Sequence, residues 1–245
     1  MKPSSAAFHG LLGLSAAFCG LPRSWAAEPA AGAVVHSDVW HVSRKKGREI
    51  EYFQGHVRYE GTDTKLSADE ASYDHSDQRW TAKGRVRVQR DLSSGDRIDA
   101  RGDSGFYNQE TGAGRLTSRD KVLIKRTPAD GAAPDFASGK KLTWRKLGQE
   151  GTLSGGVHAW GPRLKAWGKT ADFDHAAGKL VLNGGRPVAE KMSWKPEDWR
   201  GAVKADRITG TQPPEPASPK RLDADGRAVG WIYFPSTKAL DKPRP

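Results

Sequence analysis

The chain has 245 residues, 36% of them hydrophobic and 28% charged, with a formal net charge of +11. That length admits one or two domains with a sizeable core, and 28 Gly against two Met fits an all-β chain with many turns better than a helical one. A single Cys excludes a disulfide framework, so strand pairing and packing must hold the fold together.

Residues 1–26 differ in kind from the rest. Lys2 precedes a Leu-rich and small-residue run from Ala6 to Leu21, and Ser24 and Ala26 sit at the −3 and −1 places of a cleavage site. This pattern predicts a secretory signal cut after Ala26. The alternative is an uncut inner-membrane anchor, although the run is short for a span of ~20 residues. Cleavage would remove Cys19, Lys2 and Arg23 and lower the net charge by two. A basic exported chain favours anionic partners such as phosphorylated lipid, polyanionic glycan or a membrane face rather than nucleic acid.

Residues 27–49 form an N-terminal segment ending in "SRKKGRE". Its Arg44, Lys45, Lys46 and Arg48 are candidates for contact with anionic headgroups. A solvated loop would carry the same charges.

From 50 to 210 no helical period is found. Short alternating segments such as "HVRYE", "RWTAKGRVRV", "KVLIK", "RLKAW" and "KLVLNG" are separated by Gly, Asp, Asn and Ser, which predicts strands and turns. A repeat underlies them. Eleven residues after Tyr73, Trp144 and Phe173 come Gly84, Gly155 and Gly184; Tyr107 leads to Ser118. Nine after each aromatic stand Ala82, Leu153, Leu182 and Leu116. Val86 and Val157 follow at thirteen, with looser matches at Val122 and Val188. Pairs Leu66/Ala68, Ile98/Ala100 and Leu164/Ala166 precede the aromatics. Even offsets place the apolar positions on one face of a strand. Each unit then reads as about four short strands with one apolar face, stacked into an elongated antiparallel structure. The Gly at eleven would let the backbone bend or a neighbour approach.

The stretch "FQGHVRYEGTDTKLSADEASYDHSDQRWTAKGRVRV" resembles the OstA-like (LptA-type) repeat of the lipopolysaccharide transport proteins. Its carriers are Gly55, Val57, Leu66, Ala68, Asp69, Ala71, Tyr73, Ala82, Gly84 and Val86. The likeness is closest over 54–90 and weakens to 210; the third repeat reads "SGKKLTW" instead of the usual acidic and small residues. The resemblance implies a V-shaped antiparallel β-jellyroll whose open apolar groove takes the acyl chains of lipopolysaccharide in the periplasm. It also implies edge-to-edge joining with other such jellyrolls or with further copies of the chain. On that reading the lipid-binding inner face comprises Val57, Leu66, Tyr73, Trp80, Val86, Ile98, Leu116, Val122, Trp144, Leu153, Val157, Phe173 and Leu182. No cofactor is implied, and no enzymatic activity.

Two other readings stay open. One is a structural or adhesive β-repeat protein with a closed core and protein partners only. The other is an exported hydrolase using Asp174-His175, the twin of Asp74-His75. In register the slots after the repeat aromatics hold Asp74-His75, Asn108-Gln109, Arg145-Lys146 and Asp174-His175. So mixed a set predicts hairpin tips rather than a dyad. His36, His41, His56 and His158 lack metal-ligand spacing. Residues 211–245 form a Pro-rich tail in which "AVGWIYFP" is either the last strand of the domain or an edge strand offered to a partner.

Overall fold

The computed structural model describes residues 34–45, 47–61, 64–92, 95–145, 150–162, 164–174, 177–191, 200–211 and 221–233. Among them there are sixteen strands and no helix: β1 (Val34–His36), β2 (Val39–Lys45), β3 (Arg48–Glu60), β4 (Thr64–Asp74), β5 (Arg79–Asp91), β6 (Arg97–Asn108), β7 (Gly114–Thr127), β8 (Asp135–Arg145), β9 (Glu150–Trp160), β10 (Leu164–Asp174), β11 (Lys179–Asn183), β12 (Val188–Lys191), β13 (Arg200–Lys204), β14 (Arg207–Thr211), β15 (Arg221–Asp225) and β16 (Val229–Tyr233). They form one antiparallel sheet that does not close into a barrel.

The topology is an up-and-down meander. β1 and β2 both pair with β3, and β3 to β10 follow in chain order. β11 and β12 both pair with β10, β14 and β13 pair with those two, and β15 and β16 close the series. Short successive strands thus act as halves of single long ones. The four short strands expected per repeat are in fact two long strands, each interrupted once near its middle. β1 and β2 lie in the N-terminal segment, and β15 and β16 in the tail, so the sheet extends beyond 50–210. "AVGWIYFP" contributes β16, the last strand, which pairs with β13.

The interruptions line up as a seam across the sheet. Register shifts fall between Gln54 and Val57, Ser67 and Glu70, Lys83 and Val86, Arg101 and Ser104, Thr117 and Val122, Ser138 and Lys141, and Gly168 and Thr170. The repeat glycines stand on this seam. Gly84 has φ 73° and is followed by Arg85 at φ 45°, a left-handed pair that makes a bulge and bends the strand. A Cβ on Gly84 would fall inside the Asp69 carboxylate of the neighbouring strand, and Asp69 pairs with Arg85. The Arg85 hydrogen bond holds the Asp69 carboxyl below its ordinary range. The same arrangement recurs with Asp38, Gly55 and His56, and with Asp206, Gly226 and Arg227. Where Ser118 replaces Gly, its hydroxyl and the Arg119 N–H donate to Asp103 instead.

Gly84→Ala should therefore lower stability by about 2 kcal/mol, since a left-handed L-residue costs about 1–2 kcal/mol and Asp69 must move. Gly47→Ala, at φ 78° but with open space around it, should cost about 1 kcal/mol. Urea unfolding of both variants measures the gap; equal losses would remove the packing role of Asp69.

Three rows of paired residues carry the inner face from edge to edge. On one side of the seam the first runs Trp40, Phe53, Ala71, Ala82, Gly105, Leu116, Leu142, Leu153, Ala171, Leu182, Ile208 and Ala224. The second, nearer the hairpin tips, includes Tyr73, Trp80, Tyr107, Gly114, Trp144, Gly151 and Phe173. Beyond the seam the third includes Tyr59, Leu66, Val88, Ala100, Ile124, Ala137, Ala159, Ala166 and Ala189.

The two half-sheets face each other at the β3–β5 end. Trp80 lies level with Glu51 on β3, eight residues before Tyr59. A flat sheet would separate the two side chains by roughly 25 Å. Their rings instead meet edge to face at 5.8 Å, which requires the sheet to fold back at the seam.

Candidate functional site

The apolar inner face is the candidate site. All thirteen residues expected on it are buried or half-buried. Val57, Val86, Ile98, Leu116, Val122, Leu153, Val157, Phe173 and Leu182 are buried. Leu66, Tyr73, Trp80 and Trp144 are half-buried. One core cluster joins residues from both sides of the seam, among them Leu116, Leu153 and Leu182 with Val86, Ile98 and Val157. A smaller cluster of Phe53, Val57 and Ala71 lies near the first edge, with Tyr73 and Trp80 packed against it.

Alternation explains most of this placement, and the seam explains the exceptions. Val122 stands fifteen rather than thirteen residues after Tyr107, yet it is fully buried, because β7 has extra residues between Thr117 and Val122. Val188 is different. It pairs with Trp167 on the outer side, while Ala189 takes the inner place opposite Ala166. The break between β11 and β12 adds a residue there, and Pro187 fills the buried seam position.

The rim at the hairpin tips alternates large and small residues. Trp144 pairs with Gly114 and Gly151, and Phe173 pairs with Gly151. A Cβ at Gly114 would overlap the Trp144 ring, and one at Gly151 would overlap Phe173. Glycine thus gives each ring a slot over the neighbouring backbone. A cleft of about 510 Å³ lies beside this rim; besides Trp144, Gly151 and Phe173 its lining includes Thr143, Thr152, Asp172 and Val181, a paired row that alternation puts on the outer side of the sheet. The Thr152 hydroxyl donates to Asp172 at 2.7 Å. Toward the first edge, the Tyr73 hydroxyl donates to Gln109 at 2.9 Å, and burial with nearby Glu51 pushes the phenol up.

At the opposite end of the face Ile98 keeps charged company. Its row neighbours are Arg90 and Arg126, and Asp135 follows. The Arg126 guanidinium donates to Asp96 at 2.6 and 3.0 Å, and the Ala129 N–H donates to the other Asp96 oxygen. Asp135 is buried 3.6 Å from Arg126. Burial pushes its carboxyl up to about 6, against the pull of Arg126 and with help from Asp96. Composition and spacing gave no sign of this ionic end cap, since its members come from two hairpin ends, β5–β6 and β7–β8, 30 residues apart in sequence.

The basic cluster before β3 is engaged within the protein. Arg44 pairs with Glu49 at 2.6 Å, and Arg48 pairs with both Asp74 and Asp77. Lys45 ends β2, and Lys46 lies outside the described residues. Two of the four expected headgroup contacts thus have intramolecular carboxylate partners, Arg44 across its own β2–β3 hairpin and Arg48 on the adjacent β4–β5 tip.

Asp74 and Asp174 sit at hairpin tips, as the mixed slot composition predicts. Asp74 accepts from the Ser76 N–H and hydroxyl and from Arg48. The Ser76 hydroxyl is the chief reason its carboxyl is held down. His75 bonds Glu51 at 2.7 Å. Asp174 accepts from the Ala177 N–H, and His175 lies outside the described residues. Elsewhere His56 pairs with Asp38, and no group of three His, Cys, Asp or Glu side chains among the described residues is placed to hold a metal ion.

With this geometry in view, the chain was compared with known proteins. No family model matches it, and no curated protein does. The inner face, its rim and its two edges therefore carry the functional argument.

Large apolar residues are exposed chiefly at those edges. Val34, Val39, Trp40 and Val42 lie on β1 and β2; Leu222, Val229, Trp231 and Ile232 lie on β15 and β16. Trp40 is 60% exposed and Ile232 62%, and apolar residues grouped in this way mark interaction surfaces.

Proposed function

We propose that the chain is a periplasmic lipid-handling protein of the OstA-like kind, not an enzyme, exported by a signal cleaved after Ala26. Its sheet acts as a V-shaped β-jellyroll that holds the acyl chains of lipopolysaccharide between its two half-sheets. The observation that carries this reading is an apolar row running without a charged residue from one open edge, at Trp40, to the other, at Ala224. An acyl chain gains about 0.8 kcal/mol per buried CH₂, so such a row needs no specific polar contact. Among the described residues, edge strands β1–β2 and β15–β16 pair on one side only and carry exposed apolar side chains, which suits strand addition to a neighbouring jellyroll or another copy. Repeated joining would make the rows continuous between inner and outer membranes.

A second reading has its own support. Val122, Ala166 and Ile208 are fully buried by the protein's own residues, as in a closed core serving a structural protein with protein partners only. Entry of an acyl chain then requires the half-sheets to part, and the half-buried rim at Tyr73, Trp80 and Trp144 is the place where least packing must be lost.

A photo-crosslinking residue in place of Trp144 should trap lipopolysaccharide in cells, whereas one in place of Arg87, on the outer face, should not. Lipid trapped equally at both positions, or at neither, would sink the groove reading and leave the closed core.

A further inference from the structure

The outer face changes character along the sheet. On β5 and β6 it is an ionic ladder in which Asp99 takes both Arg87 and Arg101. From β8 to β10 it becomes aromatic. Phe136 stacks on Trp160 at 5.3 Å, Trp160 on His158 at 4.6 Å, and His158 on Trp167 at 5.2 Å. Strand alternation puts these rings opposite the buried Ala137, Ala159 and Ala166, so they are not part of the core.

The charge pattern changes at the same place. At the seam, the positions held by Asp69 and Asp103 near the start of the sheet are taken by Lys140 and Lys169. Gly155-Gly156 and Gly184-Gly185 replace Gly84-Arg85 opposite them. The Asp–Arg pair thus gives way to a lysine facing two glycines. Among the described residues Lys165 and Lys169 have no ion-pair partner, and neither do Lys121 and Lys140. The nearest acid in register is Glu190, opposite Lys165 on β12; Asp120 adjoins Lys121.

Trp167 is the end of the ring stack and is 36% exposed. One face of its indole lies on His158. Lys165 stands two residues before it on the same face, about 7 Å away, and the exposed Lys169 follows it across the register shift between Gly168 and Thr170. The His158 Nε2 is buried without a hydrogen-bond partner. Burial, then Lys121 and Lys165, lower its pKa, so the imidazole adds no competing cation under the indole at neutral pH.

We propose that this outer face is a binding site for an anionic saccharide, with a pyranose ring stacked on Trp167 and its phosphate or carboxylate groups on Lys165 and Lys169. Charge complementarity favours an anion, since among the described residues Lys169 has no ion-pair partner and Lys165 has only Glu190 opposite it in register. The other side of the indole looks toward Val188 on β12, so the stack ends in one part-open aromatic surface. Single-stranded nucleic acid is served by several separate faces, one for each base, whereas here the other rings are closed against one another. This proposal does not rest on the lipid reading, because it concerns the opposite side of the sheet.

Affinity electrophoresis of the full chain through polygalacturonate tests it, with neutral dextran as control. Wild-type protein should be retarded by polygalacturonate and not by dextran. Trp167→Ala and Lys169→Gln should each weaken binding at least about fivefold. Arg87→Gln, the same loss of charge on the ionic ladder, should change it less than about twofold. Lys169 is exposed, so its variant should keep the wild-type circular dichroism and melting temperature even if Trp167→Ala does not. Equal losses for Lys169→Gln and Arg87→Gln would reduce the effect to net charge and overturn the proposal. So would tighter, Trp167-dependent binding of a thymidine oligonucleotide or of phosphatidylglycerol vesicles.

Discussion

Asp135→Asn is expected to stabilise the protein at pH 7 by about 3 kcal/mol. The Asp135 carboxyl is buried at the ionic end of the inner face and titrates at about 6, against about 3.9 in an unfolded chain. A raised carboxyl binds its proton more tightly in the folded state. Its contribution to stability is therefore fully present below pH 4 and is lost as pH rises through 6. Two pH units correspond to about 3 kcal/mol. Asparagine resembles the protonated acid at every pH, so wild type and variant should unfold alike near pH 3.5 and diverge toward pH 7. Arg126 keeps its closer partner Asp96, so the variant does not strand that guanidinium. Urea unfolding at the two pH values gives the difference directly; a gap independent of pH would mean that Asp135 is already ionised in the folded protein at low pH. The carboxyls held down by arginines, such as Asp69 and Asp206, act in the opposite sense but cancel in the comparison.

Leu142→Ala should cost about 3 kcal/mol, the usual loss for a buried leucine truncated in a packed core. Leu142 is 1% exposed and sits between Leu116 and Leu153 in the first inner row. Neither strand can move into the gap without breaking the ladders on its other side, so much of the cavity should persist. Leu222→Ala, on the last edge and 37% exposed, should cost under about 1 kcal/mol. Comparable losses at both sites would mean that the edge is as well packed as the centre. Under the lipid reading, lipopolysaccharide should also raise the melting temperature of wild type, because a ligand of the folded state stabilises it by mass action. A purely structural protein would show no such rise.

Most of the fold was legible in the chain because strand side chains alternate. The even offsets from Tyr73 to Ala82 and Val86, and from Trp144 to Leu153 and Val157, fixed which residues share a face. The glycine eleven residues after the aromatic was legible as a bend, and it proves to be the left-handed seam position of Gly84, Gly155 and Gly184. The strand count was misread because a bulge within a long strand and a turn between two short ones use the same residues. Val188, a looser match to the repeat, stands on the outer side for a related reason. Face depends on parity, and a single extra residue in the break before β12 reverses it.

The basic cluster shows a different limit. "SRKKGRE" reads as free charge, yet Arg48 meets Asp74 and Asp77 from a hairpin tip more than twenty residues away. Likewise the lysines at 165 and 169 read as an ordinary wet strand face. Only the structure sets them beside a stack of rings drawn from three strands.

The sequence by itself determined the all-β class, the apolar face, the position of the bends and the hairpin tips at Asp74 and Asp174. These follow from period-two alternation and from residues whose backbone preferences are local. Tertiary structure decided that Val122, Ala166 and Ile208 are fully covered, that strands from the tail pair onto the sheet, and that Asp96, Arg126 and Asp135 meet. It also decided which cations find partners. Burial and ion pairing depend on distances between segments remote along the chain, and local pattern carries no measure of those.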